Sequence, residues 1–235
     1  MRASVILPTS LLGKVDNPFH ICYGETALLN EVYCNYFKAQ KGIRAIILDW
    51  SYLWPRRKPD LLQLEESIIK VAADSVILPS ISYSWKATVD VAQTFTKICK
   101  PKVKFIGTLE GYSLDTLRLC YREIRKLSNL ICLPSTLEKV ARREEIIRDL
   151  RIKESVLYLE VLKDPFEEMP PKDSIGICTS LPIRLAADYR RLEEFKPYAP
   201  PIDFVGGKPI DEELAIANSL SYKEAVKRGR PNYSL

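Results

Sequence analysis

Arg44-Ala45-Ile46-Ile47-Leu48-Asp49-Trp50 decides the fold. An apolar run from Ala45 to Leu48 leads straight into a carboxylate, with no polar residue at alternate positions. A strand that is apolar on both faces is buried on both, which is the condition of a parallel sheet covered by helices. Working outward, the same unalternating pattern recurs at residues 4–8, 75–79, 103–109, 130–134, 155–161, 174–178 and 202–205. With 44–50 these make eight predicted strands. Apolar residues at helical spacing lie between them, over 26–41, 60–72, 137–150, 183–195 and 211–228, and along Leu114, Leu117, Tyr121, Ile124 and Leu127 behind a Ser113 cap.

Eight strands alternating with helices predict an α/β fold, a (β/α)8 TIM-type barrel. The barrel is irregular. Residues 162–173 (LKDPFEEMPPKD) are too short and too rich in proline for a helix, so the one between the sixth and seventh predicted strands is missing. An open doubly wound sheet is the structural alternative, but no G-x-G-x-x-G follows a strand, so a dinucleotide site has no support. Residues 1–226 are expected to form one barrel domain and 227–235 a loose basic tail. A flank lacking a helix could be covered by a second copy, giving a homodimer.

Of the 235 residues, 46% are hydrophobic, which excludes a disordered polymer and allows a sizeable core. No apolar run reaches the roughly 18 residues of a membrane span, so no membrane partner is expected. The start of the chain has no secretory signal pattern. Thirty-five Lys and Arg against 30 Asp and Glu give a formal +5, which permits a polyanionic partner without demanding one. Six scattered cysteines with no C-x-x-C read as reduced thiols of a cytoplasmic protein. With a single histidine, His20, a metal centre is not expected, nor is a cofactor.

Barrel chemistry sits where strands end, which selects the candidate residues. Asp49, Glu110 and Glu160 close the second, fourth and sixth predicted strands. Carboxylates converging on one mouth raise each other's pKa and supply a general acid or base; alternatively, each pairs with a loop arginine or caps a helix. Cys178, which ends the seventh strand, is a further catalytic candidate; Thr179 and Arg184 after that strand, Ser80 after the third and Ser135 after the fifth are candidate substrate contacts. The loop 49–60 (DWSYLWPRRKPD) interleaves Trp50 and Trp54 with Arg56 and Arg57, a pattern suited to stacking bases and neutralising phosphates. The same tryptophans could instead plug the barrel end. Arg142, Arg143, Arg148 and Arg151 are balanced by acids at helical spacing and read as a salt-bridged helix. Gly206-Gly207-Lys208 offers either a phosphate cradle or a plain turn.

Several motifs occur in an order that resembles the tRNA-guanine transglycosylase superfamily. Ile46-Ile47-Leu48-Asp49 looks like its base-recognising strand, and Asp74-Ser75-Val76-Ile77-Leu78-Pro79 like its D-x-V segment. Phe105-Ile106-Gly107-Thr108-Leu109-Glu110-Gly111 is similar to F-x-G-x-x-Q-G, and Ile177 to Arg184 to the strand that precedes L-P-x-R. The resemblance implies a (β/α)8 barrel that exchanges guanine for a 7-deazaguanine-type base in tRNA or DNA. Asp49 would bind the base, and the nucleophile's position falls on Cys178. The S-G-G-F-Q segment and the zinc-binding Cys/His cluster are missing. Two other functions compete: a catalytically degenerate nucleic-acid-binding barrel, and a barrel lyase or isomerase that uses Glu110 and Glu160 on a phosphorylated small molecule held by Lys208.

Overall fold

Residues 45–49 do form a parallel strand, paired along its whole length with residues 19–23 and through Ile47 and Leu48 with residues 75 and 76. The computed structural model describes residues 2–50, 60–160, 170–171, 173–187 and 210–228. Its strands are β1 (Ala3–Val5), β2 (Phe19–Tyr23), β3 (Ala45–Asp49), β4 (Ser75–Ile77), β5 (Lys104–Thr108), β6 (Leu130–Pro134), β7 (Ser155–Leu159) and β8 (Gly176–Thr179). Every ladder is parallel, in the order β1-β8-β7-β6-β5-β4-β3-β2. The two ends of that order meet, so the sheet rolls into an irregular (β/α)8 barrel.

The covering helices are α1 (Gly24–Leu29) and α2 (Glu31–Gln40) after β2, α3 (Leu61–Val71) after β3, α4 (Trp85–Ile98) after β4, α5 (Leu114–Ile124) after β5, α6 (Arg143–Leu150) after β6, and α7 (Leu181–Ala187) and α8 (Glu212–Arg228) after β8. Local chemistry starts several of them. Asp60 accepts from the N–H groups of Leu62 and Gln63 ahead of α3, and Ser113 and Thr116 form a capping box on α5.

Register sorts the side chains into two layers. Partners across each ladder face the same way, so Ile21, Ile47, Cys132, Leu157 and Cys178 point into the barrel together with Tyr23 and Asp49 above them. Ile46, Leu48, Val76, Ile131, Val156, Tyr158 and Ile177 point outward and pack under the helices.

Between β1 and β2, side chains close the barrel. Ser4 Oγ donates to Phe19 O at 2.5 Å. Asn17 Oδ1 accepts from Val5 N at 3.0 Å while its Nδ2 donates to Val5 O at 2.7 Å. One side-chain amide thus gives Val5 both hydrogen bonds that a neighbouring strand would supply. At Gly176, with φ +147°, a Cβ would lie 2.5 Å from Arg2 O, so β8 needs glycine to pass the edge of β1.

Three departures from the expected elements have physical causes. Residues 19–23, outside the eight predicted strands, form β2: five buried residues in which His20 is shielded by Tyr36 and Phe37. The single helix expected over 26–41 is two, because Asn30 leaves helical geometry and its side chain caps α2 at Tyr33 N. The α4 stretch has β-branched Thr88, Val89, Val91, Thr94 and Thr96, which masked its helical period; Ser84 caps it. The described residues supply eight strands; 202–205, expected as a strand, lie outside the described residues, as do 161–169 in the expected helix gap and 188–195 of the expected helix. The homodimer argued from that flank falls there too. Lys227 and Arg228 belong to α8, and 229–235 lie outside. No helix among the described residues is long and apolar enough to cross a membrane.

Candidate active site

The C-terminal ends of β2, β3, β5, β7 and β8 bring polar side chains to the barrel mouth. Asp49 ends β3, is 2% exposed, and stands in register with Tyr23. Glu110 follows β5 on the inward side and is also 2% exposed. Strict alternation would turn Glu160 outward beyond Tyr158. Instead its φ of +54° puts it in the left-handed region and returns the carboxylate to the mouth.

Glu160 is held from two sides. Tyr23 Oη donates to Oε1 at 3.1 Å from across the barrel, and Ser180 donates to Oε2 from its Oγ at 2.9 Å and its N at 3.4 Å. Ser180 Oγ in turn accepts from Arg184 Nε at 2.7 Å. Burial raises the Glu160 pKa, and the Arg184 charge is the largest influence opposing that rise.

Among the described residues no arginine pairs with Glu110. Tyr83 N donates to Oε2 at 3.1 Å, and Thr136 Oγ1 lies 3.2 Å from each carboxylate oxygen. Burial pushes its pKa up to about 7, against the lowering effect of those two donors. Tyr83 itself has φ +63°. Among the described residues four non-glycine positions have positive φ, and Ala72 and Arg151 are helix C-caps where this is routine. The other two, Tyr83 and Glu160, are both in the mouth, where backbone strain concentrates at working sites.

The remaining candidates divide. Arg184 joins the Glu160 network. Thr179 serves the chain, its Oγ1 accepting from Leu181 N at the start of α7. Ser80 and Ser135 are half-buried at the ends of β4 and β6. Cys178 lies one layer below the carboxylates, in register with Leu159; its Sγ donates to Tyr158 O, and burial drives its thiol pKa well up. That thiol stays protonated and fills the barrel. Trp50 packs beside Gly24 at the core edge, whereas Trp54, Arg56, Arg57 and Lys208 lie outside the described residues. Among the described residues no three His, Cys, Asp or Glu side chains are placed to hold a metal ion.

Tyr23, Thr136, Tyr83 and Ser180 contribute directly but were not selected by sequence. Tyr23 sits on β2, a strand outside the eight that the sequence predicts. The others lie in the strand-end segments, where only their hydrogen bonds set them apart.

No family model and no curated protein matches the chain. Among solved structures it is similar to N-acetylneuraminate lyase from Mycoplasma synoviae, at 11% identity and TM-score 0.50, covering 76% of this chain and 68% of that one. It is also similar to a dihydrodipicolinate synthetase-type protein from Pseudomonas aeruginosa (9%, TM-score 0.48, 95% and 99% covered) and to N-succinyl Arg/Lys racemase from Bacillus cereus (10%, TM-score 0.44, 92% and 61%). The first likeness shows the barrel fold. The resemblance to the tRNA-guanine transglycosylase superfamily is overturned: the neighbour at TM-score 0.50 is a lyase, and no family model, a transglycosylase one included, matches. Short apolar strands ending in a carboxylate are what any buried barrel strand can show, and this produced the apparent motif order. The 7-deazaguanine base rested on that resemblance and goes with it; the tRNA or DNA partner, read also from the loop 49–60, finds no support, and 51–59 of that loop lie outside the described residues.

Proposed function

We propose that the protein is a barrel enzyme that moves protons on a small anionic molecule, with Glu110 and Glu160 as its acid–base pair. One observation carries this reading: two buried glutamates share one mouth in unequal surroundings. Glu110, with no cation beside it among the described residues and a pKa of about 7, can donate or accept a proton at neutral pH. Glu160, whose burial-raised pKa is opposed by the Arg184 charge, is assigned the complementary part, as base or stabiliser of positive charge. Asp49 and the Tyr23 hydroxyl complete the polar wall. Arg184 favours an anionic substrate, and a phosphorylated one agrees with the basic chain and with Lys208 after the last predicted strand. Lyase or isomerase chemistry fits a pair of this kind. A cytoplasmic location fits six free thiols.

The test is solvent exchange. The full chain is incubated in D2O with phosphorylated sugars and with oxo acids, and mass spectrometry reads deuterium gain or bond cleavage. Exchange into one substrate that Glu110→Gln abolishes supports the reading. Exchange that survives in both Glu110→Gln and Glu160→Gln would falsify the placement of the site.

A further inference from the structure

Arg143 opens α6, and its side chain is fully buried. Sequence places it in a balanced, exposed helix; the structure instead inserts it between two strand ends. Its Nε donates to Pro134 O at 3.4 Å and its Nη2 to Leu159 O at 3.2 Å. Pro134 and Leu159 are partners in register, the last rung of the β6–β7 ladder. Glu138 pairs with Nη2 at 3.3 Å, and the guanidinium lies 5.2 Å from the centre of the Tyr158 ring.

Burying a guanidinium is costly, and an apolar side chain of similar volume often stabilises as well or better. The planar fork does what an apolar side chain cannot, gripping two carbonyls at a fixed separation. The residues just beyond those carbonyls are the ones the mouth depends on. Ser135 and Thr136 follow Pro134, and Thr136 donates to Glu110. Glu160, in its left-handed conformation, follows Leu159.

We propose that Arg143 is a positioning residue that fixes the exits of β6 and β7, and thereby sets both the Thr136 donor on Glu110 and the turn that returns Glu160 to the mouth. The inference rests on Glu110 and Glu160 being the working pair. Its test reads proton affinity rather than turnover, so its failure is distinguishable from failure of the exchange experiment. The groups around Glu110 are Tyr83 N from the β4–α4 loop, Thr136 after β6, Cys120 from α5 and Cys132 from β6.

The full chain, labelled at the glutamate carboxyl carbon, is titrated by NMR. Arg143→Lys keeps the charge but loses the fork. It is expected to raise the proton affinity of Glu110 about tenfold, since a hydrogen bond to a charged group is of that size. Thr136→Val gives the same rise, and the double variant no more than either alone. Unchanged Glu110 titration in a folded Arg143→Lys chain overturns the proposal, as does a double variant that shows the sum of the two effects. Should Arg143→Lys fail to fold, Glu138→Gln removes the ion partner and leaves the guanidinium. A smaller rise in the same direction supports the role, and an unmoved Glu110 contradicts it.

Discussion

The two ends of this barrel bury ionisable groups in different ways. At the N-terminal floor, His20 on β2 lies edge-on to Tyr36 and Phe37, and burial lowers its pKa. Around it, Arg44 pairs with Asp16 at 3.0 Å and Lys223 donates to the Asp16 carbonyl. The Asp16 side chain is 86% exposed, so that cluster shares its charges with water. At the mouth the partners of Glu110 and Glu160 come from inside the protein, and two of the residues involved have left-handed backbone. The floor uses charge to tie α8 to the loop before β2. The mouth holds its carboxyls away from water, and burial raises the pKa of both glutamates there.

Removing the mouth's acids should have the largest effect. Glu110→Gln and Glu160→Gln are each expected to lower turnover of the exchanging substrate by about 10²–10⁴-fold, the usual contribution of a general acid or base. Lys223→Met, at the floor, leaves turnover unchanged; a comparable loss there would erase the distinction between the two ends.

Next comes the pH dependence of stability. The folded chain holds the Glu110 proton more tightly than the unfolded chain, whose glutamate has a pKa near 4.5. The contribution is therefore present below about 4.5 and lost as pH rises through about 7. The loss is roughly 3 kcal/mol, from 1.36 kcal/mol per pKa unit. Urea unfolding at pH 4 and pH 8 should show this decline in the native protein and its absence in Glu110→Gln.

The seam between β1 and β2 should respond somewhat less. Asn17→Ala leaves Val5 N and O without their partners and is expected to cost about 1–3 kcal/mol in urea midpoint experiments, with faster amide exchange at Val5. The smallest effect belongs to the floor and has the opposite sign. Burial lowers Lys223 to about 8, so folding favours its neutral form and stability rises as pH passes from about 8 towards 10.5. Because Lys223 is only half-buried beside an exposed Asp16, the gain over Lys223→Met is expected below about 1 kcal/mol.

The barrel was legible because strands such as Ala45–Asp49 are apolar on both faces. Where a strand carries aromatic and polar residues, as Phe19–Tyr23 does, that signal vanishes, and β2 became visible only through its packing against α2. Asp49, Glu110 and Glu160 could be picked out because strand ends are numbered by the fold. Their surroundings could not. The left-handed turn at Glu160, the Tyr23 hydroxyl arriving 137 residues away in sequence and the buried fork of Arg143 are products of three-dimensional register. The helical spacing of charges around Arg143 is satisfied equally by an exposed helix, and only burial separates the two. Ordered short motifs misled for a related reason: buried parallel strands share an apolar vocabulary whatever the enzyme.

The most direct test of the mouth as an acid–base site is the carboxyl titration of Glu110 in the native chain, followed by NMR at its carboxyl carbon and assigned with Glu110→Gln. A midpoint of about 7 is predicted. A midpoint in the ordinary glutamate range, near 4.5, would mean that water reaches the carboxyl freely, and would contradict the account.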